Sequence, residues 1–216
     1  MRMVDGLRTR KKERTRRAIS EVAIAMFLEH GFDRVSVAEI AAAAEVSKPT
    51  LFRYFPSKED LVLDRIADHR GEAAAVVRAR PAGRTPLDAL HDAFMAGLDA
   101  REPTTGLCDH PAVMAYHRLV FGTPSLASRV AEYAAAETEA LAEAMSEAAN
   151  SASRPMPRLT SRLVAAQYVA VRQILARDNY AALASGRTAG EVYGEAVAAA
   201  GIAFDLLRQG ARAHGL

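Results

Sequence analysis

The sequence predicts an all-α fold of about nine helices, on three observations. Alanine is abundant and β-branched runs are scarce, which favours helix over strand. Apolar residues recur at i, i+3 and i+4, with no strand-like alternation and no internal repeat. Capping residues and Pro/Gly breaks punctuate those periodic stretches at helical lengths. The 216 residues, half of them hydrophobic and a quarter charged, suit a globular protein of one domain or two small ones.

Residues 1–12 are polar and basic and read as a mobile arm. From about Arg14 the set Ile19, Val22, Ala23, Met26 and Phe27 makes an amphipathic helix that Gly31 ends. Ser36 and Glu39 have capping-box spacing and open a second helix, which runs through Ile40 to about Ala44. A tight Glu45-Val46 connection leads to a third helix, capped by Ser47 or by Lys48 and stopped by Pro56. Ser57 opens a fourth, with Leu61, Val62, Ile66, Ala73 and Val77 along one side until Pro81, Gly83 and Pro86. Further helical patterns span roughly 86–101, 110–121, 124–149, 158–185 and 188–209, separated by breaks at 102–106, 122–124, 150–157 and Gly186.

Charge divides the chain. Residues 1–58 carry 12 Lys/Arg against 7 Asp/Glu, and the remainder 16 against 19. All four lysines, Lys11, Lys12, Lys48 and Lys58, lie in the first part. A basic N-terminal unit of this kind is suited to a polyanion. Cys108 is the only cysteine, so no intrachain disulfide forms and a reducing compartment fits. The N-terminus lacks the apolar core of a signal peptide, and the apolar run Ala196–Phe204 is too short to span a bilayer. These features predict a soluble, cytoplasmic chain with no membrane partner.

Two short capped helices joined by a tight turn have helix-turn-helix geometry, whose second helix enters the DNA major groove. Within Ser47–Phe55, Leu51 and Phe55 sit four apart and anchor the helix to a core. Lys48, Thr50, Arg53 and Tyr54 then face outward as base or phosphate contacts. Pro49 serves equally as a helix starter and as a contact with a thymine methyl.

The run Phe27-Leu28-Glu29-His30-Gly31-Phe32, then Val35-Ser36-Val37 and Ile40-Ala41, then Val46 through Leu61 resembles the N-terminal domain of the TetR family. The resemblance covers roughly residues 12–62. It implies a bacterial, homodimeric, ligand-responsive transcriptional regulator with a DNA-binding domain at 1–57 and a regulatory and dimerisation domain at 58–216. It further implies phosphate contacts from Ser36 or Val37 and from Lys58. Many members carry Tyr where this chain has Phe52, so a hydroxyl bond to phosphate is absent there. The basic arm (Arg8, Arg10, Lys11, Lys12) is either a further DNA contact or a solubilising tail.

The body carries weaker signals. Phe121-Gly122-Thr123-Pro124-Ser125-Leu126-Ala127-Ser128-Arg129 is similar to a stretch of actinobacterial-type members. In the family the last two long helices pair with those of a second copy. Here 158–185 carries Leu159, Leu163, Ala166, Ala170 and Ile174, and 188–209 carries Val192, Ala196, Ala199, Ala203 and Leu206. Small residues on both allow the close approach of an isologous dimer. Candidate pocket residues are Phe94, Leu98, Met114, His117, Phe121, Gln167, Tyr168 and Val171, which equally suit plain packing. Gln167 and His117 are singled out on the expectation that they are buried polar groups in need of a partner. Cys108, Asp109, His110 and His117 lack the spacing of a four-ligand metal site, and no cofactor is expected. Neither a nucleophile elbow nor a glycine-rich phosphate loop is visible, so an enzyme is not expected. The sequence thus predicts a repressor released from a palindromic operator by a small apolar or amphipathic effector. An architectural DNA-binding protein without an effector is the alternative, distinguished by weak sequence preference.

Overall fold

The computed structural model describes residues 2–151 and 156–212, the side chains of residues 2–9, Asp68 and Arg212 excepted. Among the described residues the chain is helical and strand-free. Its order is α1 (Arg2–His30), α2 (Val37–Ala43), α3 (Lys48–Tyr54), α4 (Lys58–Asp68), α5 (Glu72–Ala79), α6 (Pro86–Asp99), a 3-10 turn (Pro103–Thr105), α7 (Pro111–Gly122), α8 (Pro124–Ser151), α9 (Arg158–Ala184) and α10 (Ala189–Arg212).

Two expectations are corrected. The basic N-terminal stretch is the first part of α1 rather than an arm, because Arg, Lys and Glu are strong helix formers and charge alone does not end a helix. The long fourth helix is two helices, so the described residues hold ten helices where the sequence predicts about nine. Gly71 sits at φ +83°, a left-handed conformation that interrupts helical hydrogen bonding and starts α5. The predicted break at 150–157 lies partly outside the described residues.

The chain forms two compact units, Met1–Asp68 with Ala115–Ala131, and His69–Met114 with Glu132–Leu216. The first therefore holds α1–α4, the later part of α7 and the start of α8. Its core buries Ile19, Ala23, Phe27, Val35, Ile40, Leu51, Phe55, Leu61 and Val62. Polar links fix α1 on α4: the Ser20 hydroxyl donates to the Leu61 carbonyl at 2.8 Å, and Arg16 pairs with buried Asp64 at 2.5 Å. The Arg16 guanidinium also lies 5.2 Å from the Phe55 ring centroid, so α1 buttresses the end of α3 directly. Tyr116 on α7 donates to the Val62 carbonyl at 2.8 Å.

In the second unit α10 packs on α9 and α6, and α5 on α6. Phe204 is a hub, with the rings of His91, Phe94 and Tyr168 at 5.0, 6.1 and 6.1 Å. The loop before α7 is clamped onto α9. Asn179 donates to the Thr105 carbonyl at 2.9 Å, and Gly106, at φ +74°, has so little room that a Cβ would lie 1.9 Å from the Ala176 carbonyl oxygen. Only glycine fits that approach.

Candidate nucleic-acid interface

The helix-turn-helix is built by its caps. Ser36 and Glu39 form both hydrogen bonds of the capping box at the start of α2, at 3.2 and 2.7 Å, and hydrogen bonding from the Ser36 backbone N–H, then from its hydroxyl, holds the Glu39 carboxyl below its ordinary range. In the turn, the Val46 N–H donates to the Ala41 carbonyl at 2.9 Å, while Glu45 takes a left-handed φ of +54°. Ser47, not Lys48, caps α3: its hydroxyl oxygen accepts from the Thr50 N–H at 3.2 Å and donates to the Thr50 hydroxyl at 2.8 Å. Pro49 occupies the first turn, where its missing N–H removes no helical bond.

Leu51 and Phe55 are fully buried, which rotates the opposite face of α3 outward. Ser47, Lys48, Pro49, Phe52 and Arg53 are exposed, with Thr50 and Tyr54 half-buried. Lys48 lies 6.0 Å from the Phe52 ring centroid and Arg53 5.6 Å from that of Tyr54. Phe52 thus supports a cation where a tyrosine would offer a hydroxyl. Ser36 is exposed and Val37 half-buried at the start of α2. Lys58 is half-buried: its ammonium donates to the Phe32 carbonyl at 2.5 Å and sits 4.4 Å from the Phe32 ring centroid.

The eight candidate pocket residues are divided between the two units. Phe94, Leu98 and Tyr168 are in the core of the second unit, and Met114 and Val171 pack against it. His117 and Phe121 belong to the first unit, their tilted rings 5.6 Å apart, with burial lowering the His117 pKa. Gln167 is exposed, so the expectation that it is a buried polar group does not hold. It shares the outer face of α9 with Leu159, Leu163, Ala166, Ala170 and Ile174, all of them exposed. On α10, Ala199 and Leu206 are exposed but Val192 and Ala196 are core, and Ile202 is the residue that joins Leu206 outside. Among the described residues no cluster of His, Cys, Asp and Glu could hold a metal ion, and no helix is long and apolar enough to cross a membrane.

The sequence reading missed one polar feature of the second unit. Arg172 on α9 donates to buried Glu137 on α8 at 2.5 Å. Its signal was an acid four residues before Leu141 on the apolar side of an amphipathic helix, where a leucine or alanine is the ordinary choice.

The sequence model described as "Bacterial regulatory proteins, tetR family" matches residues 19–64, the stretch that holds this helix-turn-helix. The HTH-type transcriptional regulator TcmR of Streptomyces glaucescens is 35% identical over 183 residues, 81% of this chain and 77% of that protein. The chain belongs to the TetR family. Members of this family are transcriptional regulators, not enzymes, and they bind DNA operators and form dimers. Solved structures agree on the fold. NalD of Pseudomonas aeruginosa, a repressor of the MexAB-OprM efflux pump, superposes with TM-score 0.57 at 19% identity, over 89% of this chain and 96% of its own. FadR of Bacillus subtilis, solved with stearoyl-CoA, gives 0.51 at 16% identity, over 88% and 96%.

Proposed function

We propose that this TetR-family regulator is a homodimeric repressor that reads a palindromic operator and releases it when a small apolar or amphipathic molecule binds the second unit. The outward face of α3 carries the reading: Lys48 and Arg53 are exposed on a short helix held from behind by Leu51 and Phe55. Such a helix presents its first residues to base edges, with Ser36, Val37, Thr50, Tyr54 and Lys58 positioned by their caps and packing for the flanking phosphates. Two copies related by a two-fold axis read half-sites roughly 34–36 Å apart.

The dimer uses α9 and α10. Leu159, Leu163, Ile174, Ile202 and Leu206 are 66, 53, 55, 66 and 65% exposed, and they account for most of the large exposed hydrophobic side chains of the described chain. A long apolar stripe of this kind on two adjacent helices is an interface left open in the single chain. The division of labour follows the chain, with reading at 1–57 and regulation at 58–216, inside the cytoplasm. An effector acts by displacing α4, which continues directly from α3 and leads through the Gly71 break into α5. FadR, as a fold neighbour holding an acyl-CoA, supports an amphipathic class of effector. The effector must favour the DNA-incompetent state by about 1–3 kcal/mol for such coupling to matter.

The test is binding to the palindrome beside its own gene against scrambled DNA of equal length across a salt series. Preference for the palindrome that persists at high salt is the expected result. Equal affinity for both, with a steep salt slope, would leave a non-specific architectural binder instead.

A further inference from the structure

Buried polar groups are almost always hydrogen-bonded, and one that is not calls for an explanation. Within the core of the second unit, Glu137 has a side chain only 8% exposed. Its Oε2 accepts from Arg172 Nη2 at 2.5 Å, whereas its Oε1 is fully buried with no hydrogen-bond partner. The carboxylate sits on the side of α8 that also carries the core residues Leu141 and Ala144, with Ala134 packed beside them. Across from it, Arg172 continues the α9 turn of Tyr168, Val169 and Val171, all in or against the same core.

We propose that Glu137 Oε1 anchors the effector, and that the effector is a neutral, largely apolar molecule whose alcohol or phenol O–H donates to that oxygen. The proposal rests on the effector-responsive reading above and names the chemistry of its ligand. Three observations select a neutral donor. Oε1 is an acceptor without a donor, so a ligand O–H converts an unmatched buried oxygen into a charge-assisted hydrogen bond. Arg172 already supplies the counter-charge at contact distance, so a ligand cation would meet a guanidinium as well as the carboxylate. A ligand anion would face Glu137 together with Glu72, which also acts on it electrostatically, as does His69. Tyr168, which Glu137 and Arg172 both influence electrostatically, is a neutral phenol, its pKa pushed up to about 12 chiefly by burial. Burial likewise raises the Glu137 pKa, with Arg172 opposing, so the site favours partners that do not add charge.

The experiment titrates the full-length protein by calorimetry with four probes that share a naphthalene ring: 2-naphthol, 2-methylnaphthalene, 2-(aminomethyl)naphthalene and 2-naphthoate. The expected result is 2-naphthol binding about tenfold or more tighter than the methyl analogue and both charged probes. That preference should vanish in Glu137→Leu while 2-methylnaphthalene still binds, and survive in part in Glu137→Gln, which keeps an acceptor. Equal binding of 2-naphthol and 2-methylnaphthalene overturns the proposal, as does a preference that persists in Glu137→Leu, tightest binding of the ammonium probe, or no binding of any probe. Should Glu137→Leu fail to fold, infrared difference spectra of the wild type decide: a carboxylate band shifted by 2-naphthol but not by its methyl analogue supports the anchor, and an unshifted band rejects it. Operator binding measured on the same samples separates the two readings. Glu137-dependent binding that leaves the operator occupied keeps the anchor and removes the effector response; intact operator binding without any Glu137 dependence does the reverse.

Discussion

The two compact units differ in the groups they leave uncovered. In the first, the short helices are closed by their own caps: Ser36 with Glu39, Ser47 with Thr50, and Ser57 with Asp60. Lys48 and Arg53 are exposed on a helix anchored by the wholly buried Leu51 and Phe55. In the second, a carboxylate oxygen stays unmatched inside and a stripe of large hydrophobic residues stays uncovered outside. The difference teaches what each is built to meet. A duplex presents a fixed lattice of phosphates, so its reader gains from rigid, self-satisfied helices. On the proposed function, a ligand and a second copy supply the missing groups themselves, so their sites are left incomplete in the isolated chain.

The largest expected effect comes from breaking the outer stripe. Leu163→Glu with Ile202→Glu places four carboxylates in an isologous interface and should weaken dimerisation by about 4 kcal/mol, a thousandfold in Kd. Sedimentation should then show a monomer that keeps its helical circular dichroism. A dimer that persists would move the interface elsewhere.

Next comes Gly106→Ala, which drives a methyl into the Ala176 carbonyl and asks alanine to adopt a positive φ. We expect about 3 kcal/mol of destabilisation by chemical unfolding. Hydrogen exchange should place the loss in α6, α9 and α10 and spare α1 to α3. Uniform loss of protection would contradict a loss confined to the unit that holds Gly106.

The smallest effect sharpens the first unit. Ser36→Ala removes half of a capping box and should lower stability by about 1 kcal/mol, read as a drop in Tm. It should leave the salt slope of operator binding unchanged, because a hydroxyl releases no counterion. Lys48→Ala should instead lower that slope by about 1 while leaving Tm unchanged.

What was legible in the sequence follows the same line. The helix-turn-helix could be read because capping depends on neighbours three residues apart, and because Leu51 and Phe55 declare the buried side at helical spacing. Pro49 made the cap ambiguous, and the geometry of Ser47 and Thr50 resolves it. The split at Gly71 was hidden because a lone glycine inside an apolar pattern leaves φ undecided. The α9 stripe was read in full, yet on α10 the two apolar sides of an alanine-rich helix were merged, since alanine marks neither core nor surface. Gln167 was misjudged and Glu137 missed for one reason: burial of a polar side chain depends on the helix opposite, which spacing along one helix does not specify.

The central claim is that the outer face of α3 reads DNA, and Arg53 tests it most directly. Affinity of wild type and Arg53→Ala for the palindromic operator and for scrambled DNA should be measured at one fixed salt concentration. The account predicts a loss of about 1–3 kcal/mol on the operator with a smaller loss on scrambled DNA, so that specificity narrows. Unchanged operator affinity in Arg53→Ala would contradict it.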